Sequence, residues 1–405
     1  MNAGNPGAGV LSGLRIVELG GIGPVPFGAM ILADHGADVL RFDRAGELSP
    51  ANPVGTLLER NKRRIKVDLK SEAGRDLALR CIAQADAVIE GFRPGVVERM
   101  GLGPEDCAKL NDKLVYARMT GFGQTGPLAK AGGHDHSYIA IAGALDPIGA
   151  PGSPPALPLN LLGDYASGGM LMAFGIMGAL WERLRSGKGQ VIDCAIIDGA
   201  ALLMTGFHDP SHLLGPRGTN WENGFKTADV SLYETSDHRY MDVCAVDPPF
   251  FRRMIETLGL DFDALPDQYD PAGWPQVRAQ LKAAFATKTQ QEWTEIFDNV
   301  DAMVRPVLGP YAAPDYPHNK ARDMFLELDG VLQPAPAPRF SRTPGQLRYG
   351  PSSAGATEAP LDDWGISAGE WAALTKAGVC ERAATLQPAG TSSPAGTSQP
   401  PGGQQ

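Results

Sequence analysis

The residues of this chain best suited to chemistry are a histidine and an aspartate 30 positions apart. His134 lies in Gly132-Gly133-His134-Asp135-His136-Ser137-Tyr138, which runs into the apolar segment IAIAGAL. Two glycines leading into a helical segment expose its first backbone N–H groups, a ready site for negative charge. His134 falls at that edge, where a lone histidine is otherwise a capping or surface residue. Asp164 closes LPLNLLGD ahead of a long apolar stretch. Two readings of it are open: an N-cap, or a catalytic carboxylate whose pKa is set by burial and neighbours. Neither residue belongs to a metal-binding pattern. His134 and His136, two apart, do not share a helix face. Pro210 spoils a regular helix between His208 and His212, and no glutamate follows His208 as a zinc protease requires. The five cysteines (Cys81, Cys107, Cys194, Cys244 and Cys380) are scattered without ligand spacing. Neither a metal nor a disulfide framework is expected, and a reducing cytoplasm is.

A basic run, RNKRRIKVDLK, places six cationic residues between Arg60 and Lys70 in a chain of formal net charge −10. It reads either as a solvated loop or as a landing site for a compact polyanion. Coenzyme A, with a 3′-phosphate and a diphosphate, fits such a cluster better than a nucleic acid, which favours a broad basic face. Arg41, near the carboxyl end of a strand, points the same way, as does Arg99, which follows Gly91 in EGFRPGVVER. Glycine there permits close backbone approach to a ligand. Gly21-Ile22-Gly23 is not a dinucleotide fingerprint, because Pro26 stands where a third glycine is needed and Pro24 and Pro26 remove amide donors. No cofactor is expected beyond coenzyme A carried by a substrate.

The acidic balance argues against nucleic acid or an anionic membrane as the main partner. The N-terminal MNAGNPGAGVLSGLRIVEL has no basic stretch followed by an apolar one, so no secretion signal is expected. Tyr165 to Trp181 carries no charge over 17 residues, the short limit for a membrane span, and reads as a buried core helix.

The elements that must position these residues alternate between strand and helix. RIVEL, ADVLRFD, KVDL, AVIEGF and KLVYARMTGFG read as strands. PFGAMILADHGA, residues 71–85 (with Ala73, Leu77 and Cys81 on one face) and PEDCAKLN read as helices between them. This order predicts an α/β fold with a parallel sheet and ligands at the carboxyl ends of its strands. After the apolar helix, QVIDCAIID reads as a strand, DVSLYETSDHRYMDVCAV as a hairpin, and MIETLGL, QVRAQLKAAFAT and TQQEWTEIFDNV as helices of a smaller α+β domain. Ser367 and Glu370 form a capping-box signature, with Gly378 as a stop. Residues 386–405 are almost all Pro, Gly, Ser, Thr, Gln and Ala, and predict disorder.

LSGLRIVELGGIGPVPFGAMILADHGADVLRFDR, RNKRRIKVDLK, IEGFRPGVVERMGLGP, YARMTGFGQTGP, GGHDHSY, LPLNLLGDYASGG, SGKGQVIDCAIIDG and PAPRFSRTPG together resemble the family III CoA-transferases of the CaiB/BaiF type, within it the α-methylacyl-CoA racemases. The resemblance covers residues 11–385. It implies a Rossmann-like large domain over residues 1–200 and 338–385, a small domain over 225–311, linkers at 201–224 and 312–337, and an interlocked homodimer. It also implies that His134 and Asp164 are the two acid/bases, and that Arg41, Val67, Asp68, Leu69, Lys70, Gly91, Arg99 and the segment Gly133, His134, Asp135, His136, Ser137, Tyr138 contact CoA and the acyl group. One departure stands out: where the racemases carry Glu in a small-domain A-[VI]-E-P motif that supports the histidine, this chain has Ala245-Val246-Asp247-Pro248.

The chemistry so implied is racemisation next to the thioester carbonyl. A weakly acidic α-hydrogen needs one base to remove it, a donor for the enolate oxygen, and a second acid on the opposite face to return the proton. His134 and Asp164 fill the two proton-transfer roles, and the amide N–H of Asp135 the third. The alternative is a CoA transferase, in which Asp164 attacks the thioester and forms a mixed anhydride. His134 favours the racemase. So does the lack of a glycine-rich loop between 215 and 235, where only Gly215, Gly218 and Gly224 occur.

Overall fold

The structure, a computed structural model, describes residues 9–44, 57–149, 152–208, 230–351 and 361–382. Pro210, His212, Gly215, Gly218, Gly224 and the 386–405 tail lie outside the described residues. The chain falls into two compact units, one of Met1–Thr120, Gly168–Cys194 and Glu327–Gln405, the other of Gly121–Ser167 and Ala195–Leu326. Residues 121–167, which the sequence reading keeps with the large domain, group with the second unit.

In the first unit β1 (Arg15–Leu19), β2 (Asp38–Arg44), β3 (Arg63–Val67), β4 (Ala87–Glu90), β5 (Val115–Thr120), β6 (Gln190–Ala195) and a last strand, Cys380–Arg382, build one seven-stranded sheet. The order is Cys380–Arg382, β3, β2, β1, β4, β5, β6. The β3-β2-β1-β4-β5 pairs are parallel, with Val17 opposite Leu40 on one side and Val88 on the other. The last strand runs antiparallel to β3. Strands covered on both faces read as largely apolar runs, as RIVEL and AVIE do, each with one buried glutamate. The order reverses direction at β1, so the carboxyl ends of β1 and β4 border the crevice where such sheets bind ligands.

Helix α1 (Pro24–Asp34) leaves that crevice with proline in its first turn and Gly23 at φ 60° before it. The prolines that argue against a dinucleotide fingerprint are therefore helix-starting residues. Helix α2 (Glu72–Ala83) is capped by Ser71, whose hydroxyl accepts from the Gly74 N–H at 3.1 Å. Its buried stripe is Gly74, Leu77, Ala78, Cys81 and Ile82; Ala73, expected on that face, is exposed. The strand expected at KVDL lies three residues earlier, at Arg63–Val67, because Asp68 turns the chain: its carbonyl accepts from the Ser71 N–H at 3.1 Å. The C-terminal segment packs on the same sheet through the fully buried Trp364, whose indole N–H donates to Asp38 at 2.9 Å. Truncating so buried a tryptophan to alanine typically costs about 3–5 kcal/mol. Ser367 accepts from the Glu370 N–H, but the Glu370 carboxylate pairs with Arg80, so only half of the expected capping box forms.

The apolar stretch expected to be a buried core helix becomes a π-helix, Leu161–Met170, followed by an α-helix, Leu171–Ser186. Met172, Ile176 and Leu180 are buried, whereas Phe174 (74%), Trp181 (65%) and Leu184 (71%) are exposed in the single chain. Among the described residues no helix is long and apolar enough to cross a membrane.

The second unit contains α3 (Asp135–Ile141), the helix Ile196–Leu203 and an antiparallel three-stranded sheet of Ser231–Glu234, Tyr240–Val243 and Val304–Pro306. The strand expected at QVIDCAIID stops at Ala195, and its last residues start that helix. Helices Pro248–Thr257, Trp274–Phe285 and Gln290–Phe297 complete a core around Met241, Phe251, Phe285, Trp293 and Phe297. Thr289 and Glu292 form a full capping box at the last of these helices, from the same three-residue spacing that is only half used by Ser367 and Glu370.

Candidate active site

The second unit brings His134 and Asp164 into one electrostatic neighbourhood. His134 is the N-cap of α3, in extended backbone (φ −132°, ψ 172°), and its side chain makes no capping hydrogen bond. Its carbonyl takes the capping role instead, accepting from the Ser137 N–H at 2.8 Å. The imidazole is exposed, and among the described residues it makes no hydrogen bond. Asp135, next in the chain, is buried at 5% exposure, while His136 and Ser137 face outward. The loop before the helix is held by Tyr138, which is buried, donates to the Gly133 carbonyl and packs edge-on against Phe122 at 4.9 Å between ring centroids. A Cβ on Gly133 would lie 2.7 Å from the Tyr138 ring, so glycine is required there.

Asp164 is not the N-cap of the apolar helix. It sits in the first turn of the π-helix, where the Tyr165 N–H reaches the carbonyl of Asn160, five residues back, at 3.1 Å. Such π-turns are rare and concentrate at functional sites, since they redirect side chains that a regular helix would point elsewhere. The Asp164 carboxyl is pushed up to about 6, first by burial and then by the negative charge of Asp135. A hydrogen bond with Asn160 and the charges of His134 and His136 work in the opposite direction. A carboxyl near 6 can both accept and donate a proton at neutral pH. Asn160 and the Asp135 carboxylate are site groups that sequence reasoning missed. The motifs NLLGD and GGHD are visible in the sequence, but the burial of the Asp135 carboxylate and its approach to Asp164 exist only in the fold.

Asp247 is exposed at the start of the Pro248–Thr257 helix and caps it through its carbonyl, which accepts from Phe250 and Phe251 at 3.0 and 3.1 Å. Among the described residues of the chain, no hydrogen bond joins its carboxylate to His134.

Of the expected CoA contacts, Arg41, Val67, Asp68, Leu69, Lys70, Gly91 and Arg99 lie in the first unit and the segment 133–138 in the second, and the basic run divides into inward and outward residues. Arg60, Lys62 and Arg64 are buried. Arg60 forks onto Asp34 at 2.6 Å, Lys62 reaches Glu18 at 3.0 Å and Glu59 at 3.2 Å, and Arg64 reaches Asp43 at 2.7 Å. The run as a whole is therefore not a landing surface: half of it neutralises buried carboxylates. Arg41, on β2, is 6% exposed and bonds Glu18, Asp43 and the carbonyl of Gly21. Val67 is buried at the end of β3, Asp68 and Leu69 are half-buried in the turn, and Lys70 is exposed. Arg99 is exposed at the end of a short helix, Val96–Arg99. A Cβ on Gly91, at the carboxyl end of β4, would lie 2.8 Å from Val25 and 3.3 Å from Gly21, so glycine there admits the backbone of the β1–α1 turn. Among the described residues, no group of three His, Cys, Asp or Glu is arranged to hold a metal ion.

The chain belongs to CoA-transferase family III, which it matches over residues 11–357. It is 41% identical over 366 residues to the alpha-methylacyl-CoA racemase of Mus musculus, covering 88% of this chain and 94% of that protein. With the Homo sapiens alpha-methylacyl-CoA racemase it shares 40% over 363 residues, again 88% and 94% of the two chains. A crystal structure of a CaiB/BaiF family protein from Brucella suis superposes with a TM-score of 0.74 at 25% identity, covering 85% of this chain and 96% of that one.

Proposed function

We propose that this protein racemises 2-methylacyl-CoA thioesters by moving the proton on the carbon next to the thioester carbonyl. The observation that carries the reading is the pairing of an exposed His134 imidazole with an Asp164 carboxyl raised to about 6. One group takes the α-proton and the other returns a proton to the opposite face of the enolate, so that a turnover leaves the site with the same number of protons. The N–H of Asp135, the first of α3, donates to the enolate oxygen; such a donor is typically worth about 3 kcal/mol of barrier. Lys70 and Arg99, both exposed, bind the phosphates of CoA, and coenzyme A enters only as part of the substrate. The working form is a homodimer. The exposed apolar face of Phe174, Trp181 and Leu184 supports this, and so does the exposed Asp247, which in a second copy is available to the His134 site. The five cysteines form no disulfide among the described residues, which supports a reducing cytoplasmic setting.

The test is incubation with several 2-methylacyl-CoAs in D₂O, reading product mass and chirality together. Racemisation predicts one deuterium at the α-carbon and loss of optical purity without any added acid. Label entering only after a free carboxylate is supplied, or CoA passing between acids, would establish instead the transferase route through an anhydride on Asp164.

A further inference from the structure

Asp135 has a carboxylate whose surroundings the proton-transfer scheme does not use. It is buried at the start of α3, directly after His134. Its Oδ2 accepts the backbone N–H of Asp164 at 2.6 Å. Its Oδ1 is buried with no hydrogen-bond partner among the described residues. The neighbouring Gly163 is buried against it: a Cβ at that position would lie 2.7 Å from the Asp135 Cγ and overlap its Oδ2. Glycine at 163 is thus the condition for this approach. A buried carboxylate with one idle oxygen is an expensive arrangement, since the unsatisfied oxygen has lost its water without gaining a donor. A fold that needed only to tie down the Asp164 amide would meet that need with a neutral acceptor.

We propose that Asp135 is the positioning residue of the racemase site, its buried carboxylate clamping the Gly163–Asp164 backbone to the segment that carries His134 and confronting the Asp164 side chain with a fixed negative charge. The inference rests on the racemase reading and deepens it. The clamp sets where the π-helix begins relative to the histidine, and so sets the separation of the two proton-transfer groups. The charge acts on the proton of Asp164. The groups facing the Asp164 carboxyl are Asp135, His134 and His136 from α3 and Asn160 from the turn before the π-helix; after burial, Asp135 is the strongest influence holding the proton on. Racemisation must run in both directions, and so needs two acid/bases that hold a proton almost equally well. An ordinary carboxyl titrates about 2.5 units below an ordinary imidazole. The repulsion from Asp135 narrows that gap at Asp164.

The test uses the full-length protein and α-deuterium exchange of a 2-methylacyl-CoA followed against pH. Asp135→Asn keeps the shape and the acceptor for the Asp164 N–H but removes the charge. The acid limb of its kcat profile should move down by about 0.5–1 pH unit while thermal unfolding stays close to the parent's. Asp135→Ala also removes the clamp, and kcat should fall about tenfold to a hundredfold with KM changed less than about threefold, as a misplaced acid/base requires. Gly163→Ala should be severe in the parent and nearly silent on top of Asp135→Ala, because the colliding carboxylate is gone. An acid limb that does not move in Asp135→Asn overturns the proposal, as does strict additivity of Gly163→Ala and Asp135→Ala. Failure of the racemase reading looks different: the parent protein itself would not exchange the α-proton without an acceptor acid.

Discussion

Replacing Arg41 with alanine should weaken the fold before it weakens substrate binding. Its guanidinium lies among six charged side chains buried under the carboxyl end of the sheet: Glu18, Asp43 and Glu59 against Arg41, Lys62 and Arg64. Three charges of each sign leave the cluster neutral. Arg41 bonds Glu18, reaches Asp43 at 2.7 Å and approaches Glu59 at 3.4 Å, while Lys62 bridges Glu18 and Glu59. Removing one cation strands a buried negative charge, which costs about 3–5 kcal/mol. At ~2.1 cal/mol/K of unfolding entropy per residue, that corresponds to a Tm lower by about 4–6 °C. Burial alone would raise the Glu59 carboxyl, but Arg41, Lys62 and Arg64 outweigh it and hold it down at about 2. A depressed carboxylate contributes stability that is complete above the ordinary value of 4.5 and disappears as pH falls through about 2. In Arg41→Ala the Glu59 pKa climbs back, so acid unfolding should begin at a higher pH than in the parent. The assay is scanning calorimetry across pH 2–7 beside KM for the CoA ester. A parental Tm with a raised KM would refute the reasoning and make Arg41 a free phosphate-binding cation.

Further outcomes follow from the same geometry. Lys70→Ala should raise KM for the CoA ester more than it lowers kcat, because it binds a part of the substrate that does not react; steady-state kinetics check this. With the Asp164 carboxyl at about 6, its base form is lost as pH falls through that value, so exchange started by Asp164 should drop about tenfold per unit below it. Asp164→Asn, which can neither take nor give the proton, should lower deuterium exchange by about a hundredfold or more. Asp247→Asn should lower kcat by roughly ten- to a hundredfold, about 1.4–2.8 kcal/mol, if a second copy's carboxylate supports the imidazole. A rate within twofold of the parent would leave Asp247 as the turn residue before Pro248 that the single chain displays.

Much of this protein is written in local patterns. RIVEL, AVIE and VYARMT announce themselves because strands of a covered parallel sheet are largely apolar on both faces, and His134 and Asp164 because GGHD and NLLGD are contiguous motifs. The basic run shows where local pattern stops. RNKRRIKVDLK carries the same charge at Arg60, Lys62 and Arg64 as at Lys70, yet the first three are buried and the last is exposed. Their partners Glu18, Asp34 and Asp43 come from β1, α1 and β2, and only strand pairing brings those carboxylates within reach. The same holds at the site. The spacing of LPLNLLGD is compatible with an N-cap, and only the folded chain brings Gly163 against a carboxylate 28 positions earlier. Periodicity records which face of an element is apolar. Which charge faces which, and hence which carboxyl holds its proton near neutrality, is decided by distances that exist only after the elements have packed, because Coulomb interactions and desolvation depend on separation in space and not along the chain.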